Sequence, residues 1–142
     1  MLIYSLSVTR AYVCPPNADI YPCFCGGISY QNQTDTLLYI GCSDRNVNDA
    51  MASQIIENLL ANPDIDPVRE LDFYNNSLTK VPAKLPLLSA LETVNLRKNI
   101  IGKIQTGAFN FTKPMRHLDI SENSISAIES NAFLGSLIYY MQ

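Results

Sequence analysis

From Val68 to Ile128 one arrangement of apolar and polar positions, L-x-x-L-x-L-x-x-N-x-L-x-x-L, is repeated three times. Val68, Leu71, Phe73, Asn76, Leu78 and Val81 fill the first copy, Leu91, Val94, Leu96, Asn99, Ile101 and Ile104 the second, and Met115, Leu118, Ile120, Asn123, Ile125 and Ile128 the third; the starts lie 23 and then 24 residues apart. Within a copy, a run such as Glu92 to Arg97 alternates, which predicts a short strand with Val94 and Leu96 turned to a core and Thr93, Asn95 and Arg97 turned outward. One such unit cannot bury its apolar side alone, so successive units are expected to stack with their strands parallel, as a curved solenoid with an irregular convex side. Asn76, Asn99 and Asn123 stand where each strand must turn away, and a buried amide there can satisfy backbone groups of its own and the neighbouring unit. Phe109 and Phe133, within GAF and NAF, are expected to stack on the convex side.

Upstream, Ile28 to Gln31 and Leu37 to Cys42 read as two strands around the polar turn Asn32 to Asp35, a hairpin across the open end of the stack. Asn46 to Asp49 then offer helix-capping side chains, and the spacing of Met51, Ile55, Ile56, Leu59 and Leu60 predicts an amphipathic helix over about 47–62, stopped at Asn62-Pro63. Its polar side, Ser53, Gln54, Glu57 and Asn58, lacks the basic residues of a membrane-surface helix. Asp64 and Asp66 read as solvated turn residues rather than calcium ligands, because two carboxylates do not make a cation loop.

Composition narrows the partners. The chain has 142 residues, 47% hydrophobic and 16% charged, with a net charge of -3, which suits one continuous core and excludes a basic nucleic-acid footprint. No run approaches the roughly 18 apolar residues of a membrane span. Four cysteines, Cys14, Cys23, Cys25 and Cys42, lie in the first third, the pattern of a local disulfide staple formed in an oxidising compartment. Cys23 and Cys25 are too close to bond each other easily, which leaves Cys14 and Cys42 as their partners in either of two pairings. Zinc is the rival reading, disfavoured by the single-residue spacing and by the 75-residue gap between Cys42 and the lone His117; no metal or cofactor is expected. The sequons at Asn32, Asn75 and Asn110 agree with an extracellular or secreted location, although residues 1–13 lack the basic start of a signal peptide and read as a remnant of one or as a disordered tail.

The repeated motif is that of leucine-rich repeats, and a cysteine-rich hairpin directly before it resembles the N-terminal cap of extracellular leucine-rich repeat proteins. That resemblance implies bonds from Cys14 to Cys25 and from Cys23 to Cys42. The segment Cys14-Pro15-Pro16-Asn17-Ala18-Asp19-Ile20-Tyr21-Pro22-Cys23-Phe24-Cys25 further resembles a group of secreted arthropod proteins named after the non-catalytic subunit of Oplophorus luciferin monooxygenase, which implies a scaffold subunit without catalytic activity. The domain organisation is then 1–13 as tail, 14–67 as cap and 68–142 as three repeats with the start of a fourth near Tyr139. The apolar stretch Ile138 to Met141 would leave an open edge, so the sequence reads as the N-terminal part of a longer protein.

The outward positions of the strands are polar and mixed in sign. Binding of another protein there is expected to use Tyr74, Asn95, Arg97, Lys98, Arg116, His117 and Asp119, with Arg97, Lys98, Arg116 and His117 as a small positive cluster that could meet an acidic partner. A glycan on Asn75 would cover the cap-proximal end. His117, Asp119 and Ser121 share one short strand without a pocket or an oxyanion donor, so no catalytic residues are assigned. The reading is a non-enzymatic interaction or scaffold module; an accessory subunit of an enzyme complex and a receptor ectodomain fragment are its rivals.

Overall fold

The structure is a computed structural model in which residues 11–28 and 37–142 are described. The motif is expressed as parallel strands: β3 (Val68–Asp72), β4 (Thr93–Asn95) and β6 (His117–Asp119) lie side by side with Leu71, Val94 and Leu118 in register. These three side chains point inward and are almost fully buried, as are Phe73 and Leu96 two residues on. Each such burial contributes ~1.5–3 kcal/mol, and alternation sends the residues between them to the opposite side of the sheet. The far side of each turn carries the shorter strands β5 (Lys103–Ile104) and β7 (Ala127–Ile128), also parallel, and there the Phe109 and Phe133 rings stack with centroids 5.1 Å apart.

The asparagine at the end of each strand joins consecutive turns. Asn99 Oδ1 accepts the Leu78 N–H (3.0 Å) while its Nδ2 donates to the carbonyls of Phe73 (2.9 Å) and Leu96 (3.0 Å). Asn123 repeats this with the Ile101 N–H and the Leu96 and Ile120 carbonyls. Asn76 does the same one turn earlier, accepting from Arg45 and Val47 and donating to Cys42 and Phe73. The residue before each asparagine takes the left-handed conformation: Asn75 at φ 52°, Lys98 at 58° and Glu122 at 50°, with Asp44 at 56° in the corresponding place of the cap.

The cap is therefore part of the ladder rather than a lid laid across it. β2 (Leu37–Gly41) pairs parallel to β3, with Ile40 beside Leu71, and Leu38, Ile40, Cys42 and Val47 supply a first turn of core with Arg45 at the asparagine step. The hairpin partner is β1 (Phe24–Ile28), antiparallel to β2 at the edge of a five-stranded sheet ordered β1-β2-β3-β4-β6. It begins four residues before the expected Ile28 start, because Phe24 pairs with Gly41 and both disulfides fix this end. The turn Asn32 to Asp35 and its sequon lie outside the described residues. Cys14 is bonded to Cys25 and Cys23 to Cys42, with Cα separations of 5.9 and 4.4 Å, tying the short helix α1 (Asn17–Ile20) and the segment before it to the two strands.

Helix α2 spans Asp49–Ala61 and starts where the Asn48 side chain accepts the Met51 N–H (3.0 Å). It buries Ala52, Ile55, Ile56 and Leu59; Leu60, expected on that side, is 37% exposed. Asp49 accepts the Thr79 N–H (2.9 Å), fastening the helix start to the first repeat. Asp66 corrects the reading of a solvated turn: it is buried, its carboxylate accepts the Val13 N–H (2.6 Å) and its own N–H donates to Val13 O (3.0 Å).

The third repeat is less enclosed than the pattern implies. Ile104 lies under Ile128, but Ile128 is the outer residue of that pair and is 59% exposed, and Ile120 and Ile125 are half-buried where Leu96 and Ile101 are covered. The next turn opens at Ile138, one residue before the expected Tyr139, since Ile138 bridges Met115 and Met141 bridges Leu118. Replacing Asn99 by leucine strands the Leu78 N–H in the core and leaves the Phe73 and Leu96 carbonyls with one amide donor each, from Asn76 and Asn123, and is expected to destabilise the fold by ~2 kcal/mol. Chemical denaturation reads this directly, and an unchanged midpoint would mean that the ladder carries no stability.

Candidate protein-binding face

The side of the five-stranded sheet away from the core carries its polar side chains in rows. Register aligns Tyr39, Glu70, Thr93 and His117 in one row and Gly41, Asp72, Asn95 and Asp119 in the next. Gly41 is there for space: a Cβ would collide with the Phe24 and Tyr39 rings, which lie across it with centroids 5.6 Å apart.

The second row is held from within. Asp72 Oδ1 accepts the Tyr74 N–H (2.8 Å), Asn95 Oδ1 the Arg97 N–H (3.0 Å) and Asp119 Oδ1 the Ser121 N–H (2.9 Å), the same side-chain-to-backbone turn three times. Asp72 also accepts from Ser43 Oγ (2.7 Å) and the Tyr39 hydroxyl (3.2 Å). Burial, with the adjacent Asp72 carboxylate, pushes the Tyr39 phenol up to about 12.

The charged residues fall into separate pairs. Arg69 donates to Glu92 Oε2 from Nε (2.9 Å), with its terminal nitrogen at 2.7 Å, and Arg116 approaches the same oxygen at 3.7 Å. Arg97 donates to Glu122 from Nε (2.9 Å), and this bond and charge raise its pKa further. Lys98 Nζ stands 5.9 Å from the centroid of the Tyr74 ring. The positive cluster expected from Arg97, Lys98, Arg116 and His117 is thus divided: Arg97 and Lys98 follow the end of β4, whereas Arg116 precedes β6, and the length of the strands lies between them.

His117, Asp119 and Ser121 do not form a relay. The Ser121 hydroxyl donates to Asp119 Oδ1 (2.6 Å), Asp119 is only 6% exposed, and His117 Nε2 is enclosed without a hydrogen-bond partner among the described residues. The imidazole instead packs on Tyr140, with centroids 5.0 Å apart. A nucleophilic serine needs its proton directed at a base, and here that proton faces a carboxylate already engaged in a turn. Among the described residues no three His, Cys, Asp or Glu side chains converge as metal ligands, and no helix is long and apolar enough to cross a membrane.

Arg69, Glu70, Thr93, Arg116, His117 and Tyr140 surround a depression of about 480 Å³ on this face. Tyr140 was not among the residues expected at the site; its signal was the continuation of the period, which brings it beside His117 through the bridges at Ile138 and Met141. Of the sequons, Asn75 donates to the Asp44 carboxylate at the rim of the sheet, and Asn110 has its side-chain oxygen enclosed and without a hydrogen-bond partner among the described residues.

The Tyr39 phenol, raised in the folded chain above its ordinary 10.0, contributes stability that is complete below pH 10 and is lost as pH climbs from 10 toward 12. Denaturation midpoints of the wild-type chain are expected to fall more steeply across that interval than those of Tyr39→Phe; equal slopes would contradict the raised Tyr39 phenol.

No curated protein and no solved structure matches this chain. The family model described as leucine rich repeat matches residues 89–136, a span that holds the second and third copies of the motif, and the match and the asparagine-linked parallel turns together support a leucine-rich repeat protein.

Proposed function

We propose that this chain is a non-enzymatic extracellular module that binds a partner protein through the concave face of a leucine-rich repeat solenoid. Leucine-rich repeats generally serve protein–protein interaction. The observation that carries the reading is the row Asp72, Asn95, Asp119, in which each side chain is held by the backbone of its own turn. Groups fixed in this way lose little freedom when a partner arrives, and Tyr74, Asn95, Arg97, Lys98, Arg116 and His117 are the contact set proposed around them, while Asp119, expected among them, is 6% exposed and supports the Ser121 turn instead. The extracellular setting rests on the two cap disulfides, since such bonds persist in oxidising compartments. Asn32, Asn75 and Asn110 are proposed glycan carriers.

A photo-activatable benzoylphenylalanine at position 95, incubated with extracellular fluid of the source tissue, is expected to give one dominant protein adduct that is absent when the same probe replaces the exposed Ala83. Equal labelling from both positions would reject the sheet face as the binding surface. Expressed through a secretory pathway, the chain is expected to lose one glycosidase-sensitive mobility step on Asn75→Gln; an unchanged ladder would remove Asn75 as a carrier.

A further inference from the structure

We infer that the depression between β3 and β6 is a carboxylate-binding pocket that receives a glutamate or aspartate side chain of the partner protein. This deepens the proposed concave-face binding and rests on it. The charges around the depression, Arg69 and Arg116 against Glu92 and Glu70, balance in number but are unevenly paired. Arg69 and Arg116 flank Glu92, and both reach the same oxygen, Oε2. Arg69 takes that oxygen with two nitrogens at 2.7 and 2.9 Å, and its side chain is 8% exposed. Arg116 is left at 3.7 Å, beyond hydrogen-bond distance, with its side chain 64% exposed. One carboxylate cannot satisfy two guanidinium groups, so the Arg116 fork keeps its donors for an incoming anion, for which its planar geometry is suited.

An unfilled hydrogen bond lies at the same end. His117 borders the depression beside Arg116, and its Nε2 is enclosed without a hydrogen-bond partner among the described residues, a condition that is disfavoured in a folded protein. A carboxylate oxygen can relieve it by accepting from Nε2–H once the imidazole turns on Tyr140 to uncover that atom, which is closed to solvent in the free chain. Thr93, one strand away in register with His117, is small enough to leave the floor open and brings a hydroxyl donor, and Tyr140 forms the outer wall.

Glu70 also borders the depression, from the opposite end. It lies in register with Thr93 on the other side, two strand spacings or roughly 9.5 Å from His117. Its carboxylate repels an anion from the β3 end and thereby confines one to the Arg116 end. The paired Arg97 and the Lys98 that faces Tyr74 take no part, so of the expected cluster of Arg97, Lys98, Arg116 and His117 the acidic side chain meets the Arg116 and His117 half.

The test uses the whole 15N-labelled chain and two blocked tripeptides, acetyl-Gly-Glu-Gly-amide and its Gly-Gln-Gly isostere. The glutamate peptide is expected to shift the amides of Thr93, His117 and Tyr140 in a saturable way, with an affinity about three- to fivefold above that of the glutamine peptide. Arg116→Gln is expected to abolish that difference and Glu70→Gln to enlarge it. Arg116 is largely exposed, so its loss leaves the core intact, and the unchanged dispersion of the spectrum verifies this. Equal affinities, absence of any shift, or shifts centred on Arg97 and Lys98 would each overturn the pocket. Should position 95 still cross-link a partner while the two peptides bind alike, the carboxylate assignment fails and the binding face stands; discrimination between the peptides without a cross-link upholds the pocket and counts against the wider face.

Discussion

The structure depends on a side-chain amide that replaces backbone pairing where the chain leaves each strand. At Asn76, Asn99 and Asn123 the main chain turns with its N–H and C=O groups pointing into an apolar interior, where each unpaired group is costly. One amide offers both a double donor and an acceptor, and it reaches two carbonyls and one N–H across adjacent turns. No aliphatic residue of similar size can do this. The inter-turn spacing, the inward direction of Leu71, Val94 and Leu118 and the left-handed residues at 75, 98 and 122 all follow from keeping that amide within reach.

The same constraint organises the opposite side of the sheet. With strands held in register, equivalent residues of successive turns form straight rows, and the short polar side chains at 72, 95 and 119 fold back on their own backbone. Longer side chains then pair between turns: Arg69 with Glu92, and Arg97 diagonally with Glu122. A surface of mixed sign in sequence becomes one of local neutral pairs with particular exceptions, Arg116 and Glu70 foremost. On any such surface a pair already satisfied has little to gain from a newcomer, which is why the proposed binding is placed at the exceptions.

The cap solves the problem of starting such a stack. The first repeat needs a neighbour for β3 and for Asn76, and β2 with the Arg45 to Val47 turn provides both. This segment has no asparagine at the equivalent step, and two disulfides with the Val13–Asp66 clasp hold it in addition to its buried Leu38, Ile40, Cys42 and Val47. Covalent closure of short loops restricts the unfolded chain and adds to what that burial contributes.

The repeat was legible in the sequence because its physics is local: alternation and the asparagine step recur every 23 or 24 residues, and each copy states the same requirement. The capping role of Asn48 and the buried side of α2 were legible for the same reason, since helix spacing is a short-range property. The first turn of the ladder was hidden at Leu38, Ile40, Cys42 and Val47, because Arg45 replaces the asparagine and the cysteines suggest a separate unit. What tertiary structure alone decided was which outward side chains meet. Glu92 lies 23 residues from Arg69 and 24 from Arg116, and only the parallel register makes them neighbours. Likewise Asp66 was placed against Val13, and Ser121 was turned toward Asp119 rather than His117. Periodicity determines which face a residue occupies; its partner on that face depends on contacts between turns, which no single turn encodes.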